Sequence, residues 1–172
     1  AYMKPGMADS GPCLTGVTKI SLLDGREVPV KDLVGLPEFY VYSYDLYKGE
    51  VVPGRGSYCR LTKKDADVVE VLLDNGEKIR CTPCHPFMLR NGRYLEARSL
   101  KTGDSLMPLY RRENKEGYEE LLHPDRNLWE KTHRVVHRWK YGKMPTKIVA
   151  HHKNFKKRNN SPSNIMAMGR IQ

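Results

Sequence analysis

Three dipeptides, Asp24-Gly25, Asn75-Gly76 and Asn91-Gly92, constrain this chain more than any other feature. A tight turn between antiparallel strands needs positive φ, and Asn-Gly or Asp-Gly supplies it at little steric cost. Short β-prone runs accompany these turns at residues 18–23, 27–30, 40–44, 68–73, 78–81 and 86–89. Runs this short, broken by Gly and Pro, predict an all-β module over residues 13–110 rather than βαβ units. Residues 1–12 carry Pro5, Gly6, Gly11 and Pro12 without a periodic apolar pattern, and read as an extended flanking arm.

The pattern changes after Tyr110. Residues 111–125 are polar and charged and read as a linker. Asp125 is placed to cap a helix over 126–140, with Gly142 beyond its end. Leu128, Val135 and Trp139 recur at helical spacing, and Trp129 and Val136 widen the stripe. Past Pro145 the chain reads as a short strand over 147–151, a polar loop, and a second strand over 164–168.

Charge divides the chain unevenly. Residues 131–172 contain eleven Lys or Arg and no Asp or Glu, so the net charge of +10 resides in the last quarter. Such a field attracts a polyphosphate backbone, with affinity that falls steeply with salt. No apolar run nears the roughly 18 residues that span a bilayer, and no signal-peptide pattern opens the sequence. The expectation is a soluble cytoplasmic protein with no membrane partner. Four cysteines are too few and too irregular for a disulfide scaffold.

Three segments carry chemistry within residues 13–110. The first runs Cys13-Leu14-Thr15-Gly16-Val17-Thr18-Lys19-Ile20. The second, Cys81-Thr82-Pro83-Cys84-His85-Pro86, sets a threonine and a histidine three apart just after a strand. The third is Ala97-Arg98-Ser99-Leu100-Lys101-Thr102-Gly103-Asp104. A thiol is the best side-chain nucleophile near neutral pH. Cys81 and Cys84 form a CxxC, but a zinc half-site lacks a second pair here, and a redox motif lacks its βαβ setting.

Taken in order, the three segments resemble the conserved blocks of Hint-fold proteins, the intein and hedgehog-autoprocessing superfamily. The resemblance implies a mainly β, horseshoe-like fold and autocatalytic protein splicing without a cofactor. Cys13 would attack the carbonyl of Pro12 in an N–S acyl shift. His85 would transfer the proton and Thr82 would donate a hydrogen bond to the developing charge. Residues 1–12 would be a flanking extein or an appended segment, and Pro12 predicts slow rearrangement at this junction.

The run Ala150-His151-His152-Lys153-Asn154, followed by Asn159-Asn160-Ser161-Pro162-Ser163-Asn164-Ile165, resembles HNH homing endonucleases. That resemblance implies a C-terminal α+β module of the ββα-metal kind over residues 126–172, acting on double-stranded DNA with a divalent cation such as Mg2+. His152 would be the general base and His151 a metal ligand, with Asn160 and Asn164 supporting the loop. Arg134, Arg138, Lys140, Lys153, Lys156, Lys157 and Arg158 would contact DNA. The family's third ligand would fall past Gln172, and the C-terminal splicing blocks are not in this sequence. The expectation is a fragment or half of a split intein, completed by a C-terminal intein partner and flanked by exteins. The alternatives are a free-standing HNH endonuclease, or a nucleic-acid-binding module with a relic Hint region.

Overall fold

The computed structural model describes residues 11–169. Most of the N-terminal arm, residues 1–10, and Arg170 with the end of the 126–172 segment therefore lie outside it. The described chain is mainly β. Its strands are β1 (Lys19–Ser21), β2 (Glu27–Pro29), β3 (Phe39–Asp45), β4 (Glu50–Gly56), β5 (Val69–Leu72), β6 (Lys78–Cys81) and β7 (Pro86–Met88). After β8 (Tyr94–Glu96) come β9 (Arg111–Glu113), β10 (Glu119–His123) and β11 (Leu128–Lys131), then helix α1 (Thr132–Tyr141), β12 (Ile148–His152) and β13 (Ile165–Gly169). All the sheets are antiparallel hairpins or short meanders, and β10 lies between β9 and β11.

The three Gly dipeptides close the hairpins β1–β2, β5–β6 and β7–β8. The N–H of Leu22 reaches the Arg26 carbonyl at 2.8 Å, Leu73 reaches Glu77 at 2.8 Å, and Leu89 reaches Arg93 at 2.7 Å. In each turn the Asp or Asn side chain accepts the N–H two residues on, while the glycine takes positive φ.

The chain forms two compact units. Among the described residues, the first comprises 11–19, 29–35 and 59–107; the second comprises 20–28, 36–58 and 108–169. Residues 20–28 and 36–58 thus belong with the C-terminal part rather than with one continuous 13–110 module. Two small apolar clusters hold the second unit. Leu23, Val136 and Ile165 pack under Tyr40, Tyr42 and Ala150, while Val51, Leu121 and Val135 pack against Tyr42 and Tyr44. Burying each of these aliphatic side chains contributes about 1.5–3 kcal/mol.

Residues 111–125 are not a linker: β9 and β10 form a hairpin closed by Asn114 and Gly117, whose N–H bonds the Asn114 carbonyl at 2.9 Å. The helix starts at Thr132, not near 126, because residues 128–131 pair with β10 as strand β11. Asp125 sits instead in a 3-10 turn that ends at Asn127 in the left-handed region, φ 47°. Leu128 and Trp139 are exposed, whereas the buried stripe of α1 is Val135 and Val136 together with His133 and His137. Gly142 does end the helix, with φ 81° and its N–H on the Arg138 carbonyl.

Candidate functional site

The geometry at Cys13 is built on the end of β6. Leu14 bridges to Cys81, the Thr15 N–H reaches the Arg80 carbonyl at 3.0 Å, and the Thr82 N–H reaches the Cys13 carbonyl at 2.9 Å. The Cys81 side chain is fully buried beneath this pairing, which pins the chain on either side of the thiol. Thr82 then returns a side-chain contact: the Cys13 N–H donates to Thr82 Oγ1 at 2.9 Å. That N–H belongs to the Pro12–Cys13 amide. Thr82 therefore holds the nitrogen side of the peptide bond.

A turn over residues 82–85 carries His85, its N–H on the Thr82 carbonyl at 3.0 Å. The third segment secures this turn: the Ala97 N–H bonds the His85 carbonyl at 2.8 Å and the Arg98 N–H bonds the Pro83 carbonyl at 2.9 Å. Three separated stretches thus meet through backbone hydrogen bonds, with Thr82 as their node. Sequence spacing alone does not dictate that meeting.

The His85 ring lies edge-on to Phe87, and its Nδ1 is buried with no hydrogen-bond partner among the described residues. Burial pushes its pKa below the ordinary imidazole value, so the ring is neutral at neutral pH and able to accept a proton. The Cys13 sulfur is half-buried, and donates to the Gly11 carbonyl at 3.1 Å. The Cys84 Sγ reaches Thr82 Oγ1 at 3.6 Å. Burial first, and then the neighbouring Cys84, push the Cys81 thiol up, which makes it a poor nucleophile.

Residues expected to form a nuclease site lie in the second unit. His152 ends β12 and is 4% exposed. Its Nε2 lies 3.1 Å from Asn160 Oδ1. The Asn160 amide nitrogen faces Glu119 Oε1 and the Arg158 carbonyl, so its oxygen must accept and His152 Nε2 must carry the proton. Tyr118 stacks on His152 and His133 meets it edge-on. Asn164 ties its loop, accepting from the Asn154 N–H and donating to Asn154 Oδ1 and the Asn159 carbonyl.

His151 lies edge-on to Phe155, and no cluster of three or more His, Cys, Asp or Glu side chains able to hold a metal occurs among the described residues. Several expected DNA contacts also meet other groups of this chain. Arg138 pairs with Glu130 and Glu50, Lys140 with the Pro162 carbonyl, Lys157 with the Glu116 carbonyl, and Arg158 with Glu113. Arg134, Lys153 and Lys156 are exposed and carry no ion pair among the described residues.

Sequence reasoning missed Glu119, a buried carboxylate that accepts from Tyr42 Oη at 2.6 Å, Asn160 Nδ2 at 3.3 Å and Arg111 at 3.4 Å. The strand buries alternate residues, Glu119, Leu121 and His123, but Glu119-Glu120-Leu121-Leu122-His123 shows no matching polar–apolar alternation that could have signalled it. It also missed Thr62, whose Oγ1 lies 2.8 Å from the Cys13 sulfur.

A family model described as the intein splicing domain matches residues 20–162. The chain is 38% identical over 177 residues to the DNA gyrase B subunit of Synechocystis sp., a match that covers 92% of this chain but only 16% of that protein. Among solved structures it is similar to a DnaB intein from Synechocystis sp. PCC 6803, with TM-score 0.51, 18% identity, and coverage of 70% of this chain and 76% of that one. A mutant of an Ssp DnaB mini-intein variant gives TM-score 0.51 at 20% identity, covering 62% of this chain and 68% of that one. No helix among the described residues is long and apolar enough to cross a membrane.

Proposed function

We propose that this chain, which belongs to the intein splicing-domain family, begins its own excision by an N–S acyl shift at Cys13. The observation that carries the reading is the hydrogen bond from the Cys13 N–H to Thr82 Oγ1, at the hinge of the turn that also positions His85. The Cys13 sulfur attacks the Pro12 carbonyl carbon, forming an S–C bond as the C–N bond breaks. The thiol proton passes through neutral His85 to the departing nitrogen, which becomes the free amine of Cys13. Thr82 holds that nitrogen during the exchange. No outside reactant or cofactor is needed.

Later steps need the complementary C-terminal intein portion and a downstream extein, which we take as the partners of this chain. The 38% identity to a gyrase protein supports a host of that class. The direct test is mass spectrometry of the chain after incubation with dithiothreitol. Release of residues 1–12 as a thiol ester, with a new N-terminus at Cys13, is the expected result; an unchanged mass rules the reading out.

Double-stranded DNA is supported as a partner by charge alone. The exposed Arg134, Lys153 and Lys156 favour weak, salt-sensitive binding, and the buried, hydrogen-bonded His152 gives no support to cleavage. Gel retardation should disappear as salt rises to about 200 mM, and supercoiled plasmid incubated with Mg2+ should stay uncut. Metal-dependent nicking lost in His152→Ala would establish the HNH reading instead.

A further inference from the structure

We propose that Thr62 is the hydrogen-bond donor that holds and activates the Cys13 sulfur for attack, a role that rests on the acyl-shift reading above. Its hydroxyl oxygen lies 2.8 Å from the sulfur although the two residues are 49 positions apart. Thr62 belongs to residues 57–68, which form no strand or helix. The Cys59 thiol tethers this exposed stretch, donating to the Val30 carbonyl at 3.4 Å.

The direction of the bond follows from proton counting. A thiol has one hydrogen, and the Gly11 carbonyl, 3.1 Å from the sulfur, can only accept it. The Thr62 hydroxyl is then the donor to sulfur. When the thiol loses its proton, the Gly11 contact changes from a hydrogen bond to a repulsion between two electron-rich atoms. The Thr62 contact changes the opposite way, into a charge-assisted bond to a thiolate. The sulfur is thereby released from Gly11 and retained by Thr62 as it becomes nucleophilic.

The experiment measures dithiothreitol-induced release of residues 1–12 from the full chain across pH 6.5–9.5, for wild type, Thr62→Val, Thr62→Ser and Cys13→Ala. Thr62→Val should slow release about 10- to 100-fold near pH 7, the effect of losing one hydrogen bond to a charged group. The deficit should shrink towards pH 9.5, where abundant hydroxide makes thiolate formation less dependent on a neighbouring donor. Thr62→Ser should restore the rate to within a few-fold of wild type. A Thr62→Val rate equal to wild type, or reduced equally at every pH, overturns the role of Thr62 while Cys13→Ala remains inactive. Release that persists in Cys13→Ala overturns the acyl shift itself.

Discussion

Replacing His85 by alanine is expected to slow the thiol-induced release of residues 1–12 by two orders of magnitude or more. A positioned general acid–base group contributes about 10²–10⁴-fold, and among the described residues this imidazole stands alone on the turn anchored to Thr82. Its Nδ1 is buried without a partner, so truncation breaks no hydrogen bond at that atom. The fold should therefore survive. Burial lowers the His85 pKa, so the neutral, proton-accepting form persists below the usual imidazole value near 6.5. The wild-type rate should accordingly lose a limb only at pH values below about 6.5, and His85→Ala should lack that limb. His85→Gln, which can hydrogen-bond but cannot shuttle a proton, should behave like the alanine variant. Equal rates for wild type and His85→Ala would remove this residue from the chemistry and leave Thr82 with Cys13 alone.

Local turn chemistry was legible in the sequence and long-range pairing was not. The hairpins β1–β2, β5–β6 and β7–β8 close where Asp-Gly or Asn-Gly stands, because the turn residue alone meets the backbone demand. Strand β4 was hidden because Pro53, Gly54 and Gly56 are poor strand residues. It is stabilised by pairing along the full length of β3, and no Cβ would fit at Gly54 against Ser43. The early helix start failed for a related reason. Leu128 recurs with Val135 and Trp139 at helical spacing, yet β10 offers residues 128–131 ladder partners, and tertiary pairing outweighs a weak helical preference. At the site, Cys13, Thr82 and His85 could be named from their motifs. Thr62 could not, since it stands in a polar stretch, Arg60-Leu61-Thr62-Lys63-Lys64, whose placement depends on where Cys59 is tethered.

The second unit should lose stability on mild acidification. Helix α1 buries His133 and His137 beside Val135 and Val136, and β12 adds His152. Burial foremost, then the charges of His152, Arg134 and Lys131, push the His133 pKa down to about 3. Burial, then Lys140, lowers His137; burial also lowers His152 against an opposing hydrogen bond from Asn160. The folded state therefore requires neutral rings, whereas the unfolded chain takes up protons near pH 6.5. This stability is fully present above that value and is lost as pH falls from about 6.5 towards 3. His133 alone should account for about 2 kcal/mol between pH 7.5 and 5, the proton-linkage cost of one imidazole that stays neutral. Glu130 does not interfere in that window. Burial would raise its carboxyl, but hydrogen bonds from His123 and Arg138 outweigh burial and hold it at about 2, so its contribution is lost only at lower pH. Urea denaturation at pH 7.5 and pH 5 should show the difference as a lower midpoint at unchanged slope. A His133→Phe variant should reduce the pH dependence, since its ring fills the same space without a titrating nitrogen. An unaltered pH dependence in that variant would mean that His133 is already solvated and charged in the native protein, contrary to its place between Tyr118 and His152.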